Sequence, residues 1–328
     1  MYCSRIHGRN NWFLFLPICI CLVTFSIYAQ KKKNVAKARN HVSPANKVAT
    51  HVEKINGGSI FHFTSSYTCF PEASRVNGHI YDSQFYDLKS HYSDSSVLMV
   101  VPDELHVLHD SIDIVFWFHG WHNNIDTALN YYHLATQFIA AHKNAILVLA
   151  EAAKDAPDSY GGKLEQPNIF RSLVQDVLKN LQSNKIIFKS CKPGNIVLAG
   201  HSGAYRVIAY ISQNGGVPIK EIDLFDALYS ETDKFMQWLK KEKQARFINM
   251  YTNTGGGTDE VSIKMMDELK EQKIPFLFSE ENNINDALLM HEGIYFIHST
   301  RLHNDIIFEP DNFLSFMKSS PLLKSISK

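Results

Sequence analysis

Residues 112–120, IDIVFWFHG, form a continuous apolar run that ends in His-Gly. An apolar run without alternation is what a strand covered on both faces requires. Comparable runs recur at AILVLAEAA (145–153), NIVLAG (195–200), EIDLFDALY (221–229), RFINMYT (246–252) and GIYFIHS (293–299). Segments of helical period lie between them: DTALNYYHLATQFIAAH (126–142), FRSLVQDVLKNLQS (170–183) and AYRVIAYISQ (204–213). In the second of these, Leu173, Val174, Val177, Leu178 and Leu181 share one side. Strands alternating with helices predict an α/β fold, a mostly parallel sheet with right-handed crossovers and helices on both faces. Upstream, within residues 58–102, the β-rich runs SIFHFTSSYT and SVLMVVP predict antiparallel strands at the N-terminal edge of that sheet.

The chain supplies material for a sizeable core: 328 residues, 45% apolar, with 21 Phe and 14 Tyr. Lys+Arg and Asp+Glu balance at 33 each, and no basic stripe carries interleaved aromatics, which argues against a nucleic-acid partner. Arg5, His7 and Arg9 precede an apolar run over 12–28 that is followed by Ala29, the pattern of a secretory signal peptide over 1–29. The alternative is a membrane anchor formed by 12–28, which is just under a full span and is interrupted by Pro17. Residues 30–55, polar and Lys-rich, read as a flexible linker, and 56–328 as one domain. Removing the leader leaves Cys69 and Cys191, either paired or as two free thiols. Neither lies in a Cys-x-x-Cys motif, so no structural zinc is expected.

In open parallel sheets, sites form outside the carboxyl ends of the strands. The polar residues just past each apolar run are therefore the candidates. His119, Gly120, Trp121 and His122 follow the first run, His201 and Ser202 the third, Asp226 the fourth, and His298 and His303 the last. Gly200-His201-Ser202-Gly203-Ala204 nearly matches the G-x-S-x-G nucleophile elbow, with Ala where the last glycine belongs. A nucleophile on a sharp strand-to-helix turn needs small residues two positions to either side, and Ala204 adds one methyl group. The plain alternative is a βα turn whose serine caps the helix.

FHGW before a helix, GHSGA between strand and helix, an acid after the next strand and a late histidine together resemble the α/β-hydrolase superfamily, on its serine esterase and lipase side. The resemblance runs from about Val97 to the C-terminus. It implies Ser202 as nucleophile, His303 as base and Asp226 as the acid that orients it. Asp259 is the alternative acid, because most members carry it one strand later. The resemblance also implies an oxyanion hole built from the backbone amides of Trp121 and Gly203. The expected activity is cleavage of a small-molecule carboxylic ester through an acyl-enzyme, without a cofactor, in an exported protein. A peptidase or amidase on the same triad, and a non-catalytic binding protein on this scaffold, remain as alternatives.

His119 and His201 are expected to line the substrate pocket. With no carboxylate at ligand spacing and no H-E-x-x-H, they do not suggest a catalytic metal. The loop DAPDSYGGKLE (155–165) follows the second strand of the series on the same side. Its Asp158 and Ser159 are candidates for substrate contact, set against a plain Gly-rich surface turn.

Overall fold

The structure is a computed structural model that describes residues 51–106, 110–254, 256–308 and 311–326. The expected signal peptide and residues 30–50 of the expected linker lie outside the described residues. The described chain opens with strands β1 (His51–Ile55) and β2 (Gly58–Thr64). A small hairpin, β3 (His79–Tyr81) and β4 (Gln84–Tyr86), and a one-turn helix α1 (Leu88–His91) lead to β5 (Ser96–Pro102). The alternating part follows: β6 (Ser111–Phe118), α2 (Ile125–Tyr131), α3 (Leu134–Ala140), β7 (Ala145–Ala150), α4 (Ile169–Ser183), β8 (Lys192–His201), α5 (Tyr205–Asn214) and β9 (Glu221–Phe225). It continues through α6 (Thr232–Lys241), β10 (Arg246–Thr252), α7 (Thr258–Glu271), β11 (Leu277–Glu280), α8 (Asp286–Leu289), β12 (Gly293–Ser299) and α9 (Asn312–Ser319).

Ten strands form one sheet in the order β1-β2-β5-β7-β6-β8-β9-β10-β12-β11. From β7 to β11 every neighbouring pair is parallel, whereas β1, β2 and β5 join antiparallel at one edge. The expected α/β class is the one observed. Alternate residues of the central strands enter two cores. Phe116, Phe118 and Leu198 meet α4 and α5 through Phe170 and Val207 on one face. Trp117 and Ala199 meet α2, α3 and α9 through Ile125, Phe138 and Phe313 on the other. Because both faces are covered, β7, β9 and β10 are buried at every position.

Two expectations need correction. His51–Ile55, placed in the linker, is strand β1, paired to β2 with His51 opposite His62. Its polar side chains reflect an outermost strand that is mostly exposed, so its composition reads as a tether. The single helix expected over 126–142 is two short ones, broken at His133, whose φ is 51°. The break leaves the buried Tyr132 hydroxyl 3.1 Å from Nδ1 of His201. Among the described residues, no helix is long and apolar enough to cross a membrane.

Charged residues inside β9 and β10 form an internal lock. Arg246 is fully buried and hydrogen-bonds Glu221, the Phe316 carbonyl at 3.2 Å and Ser319 Oγ at 2.7 Å, which ties α9 to the sheet. Asp223 lies beside this pair, and burial together with the Glu221 charge pushes its carboxyl well above the ordinary carboxylate range.

The register aligns the carboxyl ends of the central strands. Phe118 sits opposite Gly200, His201 opposite Phe225, and Phe225 opposite Met250. The residues that follow these positions therefore emerge along one rim.

Candidate active site

Ser202 stands at the turn from β8 to α5, with a φ of 55°. A non-glycine residue in this left-handed region costs on the order of 1–2 kcal/mol, so the surrounding packing has to hold it there. The neighbours show how. A Cβ on Gly200 would come within 2.7 Å of the Ala204 methyl and 3.0 Å of the Phe118 carbonyl oxygen. The alanine in the fifth position of the motif is thus accommodated because Gly200 carries no side chain. On the β6 side, a Cβ on Gly120 would lie 2.5 Å from Ser202 Cβ and 3.1 Å from the Gly203 nitrogen. The loop after β6 therefore packs directly on the elbow, which puts the segment carrying the Trp121 amide beside the Gly203 amide. The Trp121 indole covers Gly203 so closely that a Cβ there would be 2.5 Å from Trp121 Cδ1.

Asp226 begins the loop after β9 and also has a left-handed backbone, φ 43°. Its buried carboxylate accepts from four donors. These are His303 Nδ1 at 2.6 Å, Thr252 Oγ1 at 2.7 Å, the Thr252 amide at 3.0 Å, and the Thr258 hydroxyl at the start of α7. Burial opposes its ionisation, but the hydrogen bonds from His303, Thr258 and Thr252 outweigh burial and hold it below the usual carboxylate value. Asp259, the alternative acid, sits one residue further on in α7, and it is Asp226 that reaches the His303 ring.

The His303 ring lies 4.4 Å, centroid to centroid, from that of His201, and its backbone carbonyl lies 2.9 Å from His201 Nε2. Ser202 and Tyr229 line the same cavity. The His303 ring is held by Asp226, and among the described residues Ser202 forms no side-chain hydrogen bond with it. Such contacts are commonly long in ligand-free enzymes and tighten once substrate is bound. Burial, then the Asp226 charge, pushes the Tyr229 phenol up to about 12, so it stays a neutral hydroxyl in the wall shared with Ser202.

A cavity of about 340 Å³ opens over Ser202, lined by Trp121, Ser159, Ser202, Gly203, Tyr205 and Tyr229. Trp121 Nε1 donates to Ser159 Oγ at 2.7 Å across one side of it, and the Tyr81 ring of the β3–β4 hairpin stands edge-on to the indole at 5.1 Å. Of the four residues expected to contact substrate, Ser159 is in the wall and three are placed elsewhere. His119 is buried, with Nε2 2.8 Å from Glu151 Oε1 and Nδ1 2.8 Å from the Gly120 carbonyl. His201 is buried between Tyr132 and the His303 carbonyl. Asp158 is held by Arg75 at 2.7 Å and by the Tyr160 amide at 2.9 Å. A strand-terminal side chain turns toward whichever partner its burial demands, and these three have protein partners.

Sequence reasoning missed Tyr205, Tyr229 and Glu151. The two tyrosines carry a readable signal, one being the first residue after GHSGA and the other three residues past Asp226. Glu151 was readable as the carboxylate at the end of the strand beside that of His119. Cys69 and Cys191 are both buried free thiols, and burial raises both above the ordinary thiol value.

No family model matches the chain, and no curated protein does. Solved structures similar to it include a mutant of the feruloyl esterase module from Clostridium thermocellum complexed with sinapinate. That match has 10% identity over 85% of this chain and 97% of the other, at a TM-score of 0.49. An S-formylglutathione hydrolase from Agrobacterium tumefaciens is 11% identical over 83% of this chain and 96% of the other, at 0.45. A fluorophosphonate-binding serine hydrolase of Staphylococcus aureus is 10% identical over 80% and 98%, also at 0.45. The chain's own sheet order and antiparallel edge agree with the α/β-hydrolase-type sheet expected from the sequence.

Proposed function

We propose that this chain is an exported serine hydrolase that cleaves small-molecule carboxylic esters. The observation that carries the reading is the convergence of a strained Ser202 elbow with a 2.6 Å Asp226–His303 contact on one rim of the sheet. In the proposed reaction Ser202 Oγ attacks the ester carbonyl while His303 Nε2 takes its proton. Asp226, ionised and bonded to Nδ1, fixes the tautomer and stabilises the imidazolium. The amides of Trp121 and Gly203 receive the oxyanion. His303 then protonates the departing alcohol, and water, activated by the same ring, releases the acid from the acyl-enzyme and restores Ser202. Every charge that develops is met by the chain's own groups, so this route calls for no cofactor. Export rests on the charged and apolar pattern of residues 1–29, with cleavage after Ala29.

A fluorophosphonate probe tests the nucleophile. The wild type is expected to label at Ser202 and Ser202→Ala to remain unlabelled, with acyl esters of increasing chain length ranking the substrates. A second reading, a binding protein on a hydrolase scaffold, is favoured by the lack, among the described residues, of a hydrogen bond between Ser202 and His303. A wild type that resists the probe and turns over no ester or amide would establish that second reading instead.

A further inference from the structure

The edge hairpin of the sheet carries a cluster that the proposed hydrolysis does not use. His51 and His62 are directly opposed on β1 and β2, and Glu53 stands two residues along β1. Directly opposed residues, and residues two apart on one strand, share a face, so the three side chains project together. One ligand atom from each of His51, Glu53 and His62 can be chosen so that all three lie within 4.8 Å of one another. The two imidazole centroids are 5.2 Å apart. Lys54, on the opposite face of β1, pairs with Asp103, whereas among the described residues Glu53 forms no ion pair. The face is that of Ile60, His62 and α2, bordering a groove of about 480 Å³ that also takes in Asp126 and His133.

We infer that His51, Glu53 and His62 bind a divalent transition-metal cation, zinc in the first instance, and that the ion clamps the outermost strand of the sheet. Two imidazoles and one carboxylate suit borderline metals such as zinc, copper and nickel, and are poorly matched to magnesium or calcium, which take oxygen ligands. Zinc at about 2.0–2.2 Å from each ligand in tetrahedral geometry sets ligand atoms roughly 3.4 Å apart. His51 and Glu53 are exposed, and rotation about their side-chain bonds closes the gap from the separation observed. Water fills the fourth position. The structural consequence is local: among the described residues β1 is the outermost strand and pairs with β2 alone, and an ion bridging the two strands adds a cross-strand link at that edge.

The test uses the full, tag-free chain stripped with a chelator and titrated with zinc chloride by calorimetry, with thermal melting in parallel. One saturable ion per chain and a higher melting midpoint with zinc are expected. His51→Ala and Glu53→Gln, both exposed and tolerant positions, should each weaken binding by more than the ~10–100-fold typical of losing an outer partner. His62→Ala should do the same, and His133→Ala, a histidine of the same groove outside the cluster, should bind like wild type. Magnesium chloride should give no saturable heat. Absence of saturable zinc uptake up to millimolar concentration overturns the inference. So does zinc binding that survives both His51→Ala and Glu53→Gln, or that is lost in His133→Ala.

Discussion

Two buried histidines stand at the ends of neighbouring strands and are treated in opposite ways. His119, after β6, faces Glu151. Burial pulls its pKa down, but the Glu151 hydrogen bond and charge outweigh burial and leave it raised. His201, at the end of β8, faces a tyrosine hydroxyl and the His303 carbonyl. Burial, reinforced by the neighbouring His303, lowers it to about 3, so it remains a neutral ring. Equal burial therefore leaves one imidazole with a raised pKa and the other with a lowered one, and the nearest partner decides which. The comparison extends to the flanks. The β6–β7 side is a closed His119–Glu151 contact beneath the loop that carries Trp121, whereas the β8–β9 side carries the groups proposed to move protons.

If that division holds, substitutions on the β8–β9 flank change rate and those on the β6–β7 flank change stability. The largest effect expected is from Ser202→Ala or His303→Ala, each lowering kcat by roughly four to six orders of magnitude in an acyl-ester assay. Asp226→Asn should follow at about 10⁴-fold, because the amide no longer selects the His303 tautomer. Retained turnover in Asp226→Asn would place the working acid elsewhere. Glu151→Ala strands a buried His119 and is expected to cost about 3–5 kcal/mol in denaturant unfolding, with turnover per folded molecule nearly unchanged. A rate loss without a stability loss would merge the two flanks.

The histidines also predict a pH signature. For His201 the folded pKa is depressed, so the unfolded chain binds the extra proton between about 6.5 and 3. Its contribution is complete above that window and falls by at most about 1.4 kcal/mol per pH unit on acidification through it. His119, with a raised pKa, runs the other way: its contribution is present in acid and is lost as pH rises through its folded value. Melting curves of wild type and His201→Gln across this range should differ on the acid side. The smallest effect belongs to Trp121→Phe, which removes the 2.7 Å bond to Ser159 at a rim that is 40% exposed. About 0.5–1.5 kcal/mol is at stake, read as a change in KM with kcat nearly constant.

Much of this arrangement was legible because period and order are local properties. Buried strands announce themselves by unbroken apolar runs; the rule that sites form at strand ends drew up the candidates, and the resemblance to the α/β-hydrolases picked Ser202, Asp226 and His303 among them. Directions of side chains at strand ends were not legible. Whether His119 looks into a cavity or at Glu151 depends on a residue 32 positions away, and Asp158 is claimed by Arg75 across 83 positions. Strand β1 was hidden for a different reason. An outermost strand needs no apolar face, so HVEKI carries little of the pattern that marks the interior strands.

The close approach of Gly200 to Ala204 has a consequence for how this turn can change over generations. There is room for one methyl group between the two positions, and the Phe118 carbonyl, 3.0 Å from where a Gly200 Cβ would sit, puts that room on the helix side only. Position 204 can drift between alanine and glycine, while position 200 is frozen. The two glycines of the familiar pattern are thus unequal in mutational freedom, and a lineage can lose the second without losing the bend that presents the serine.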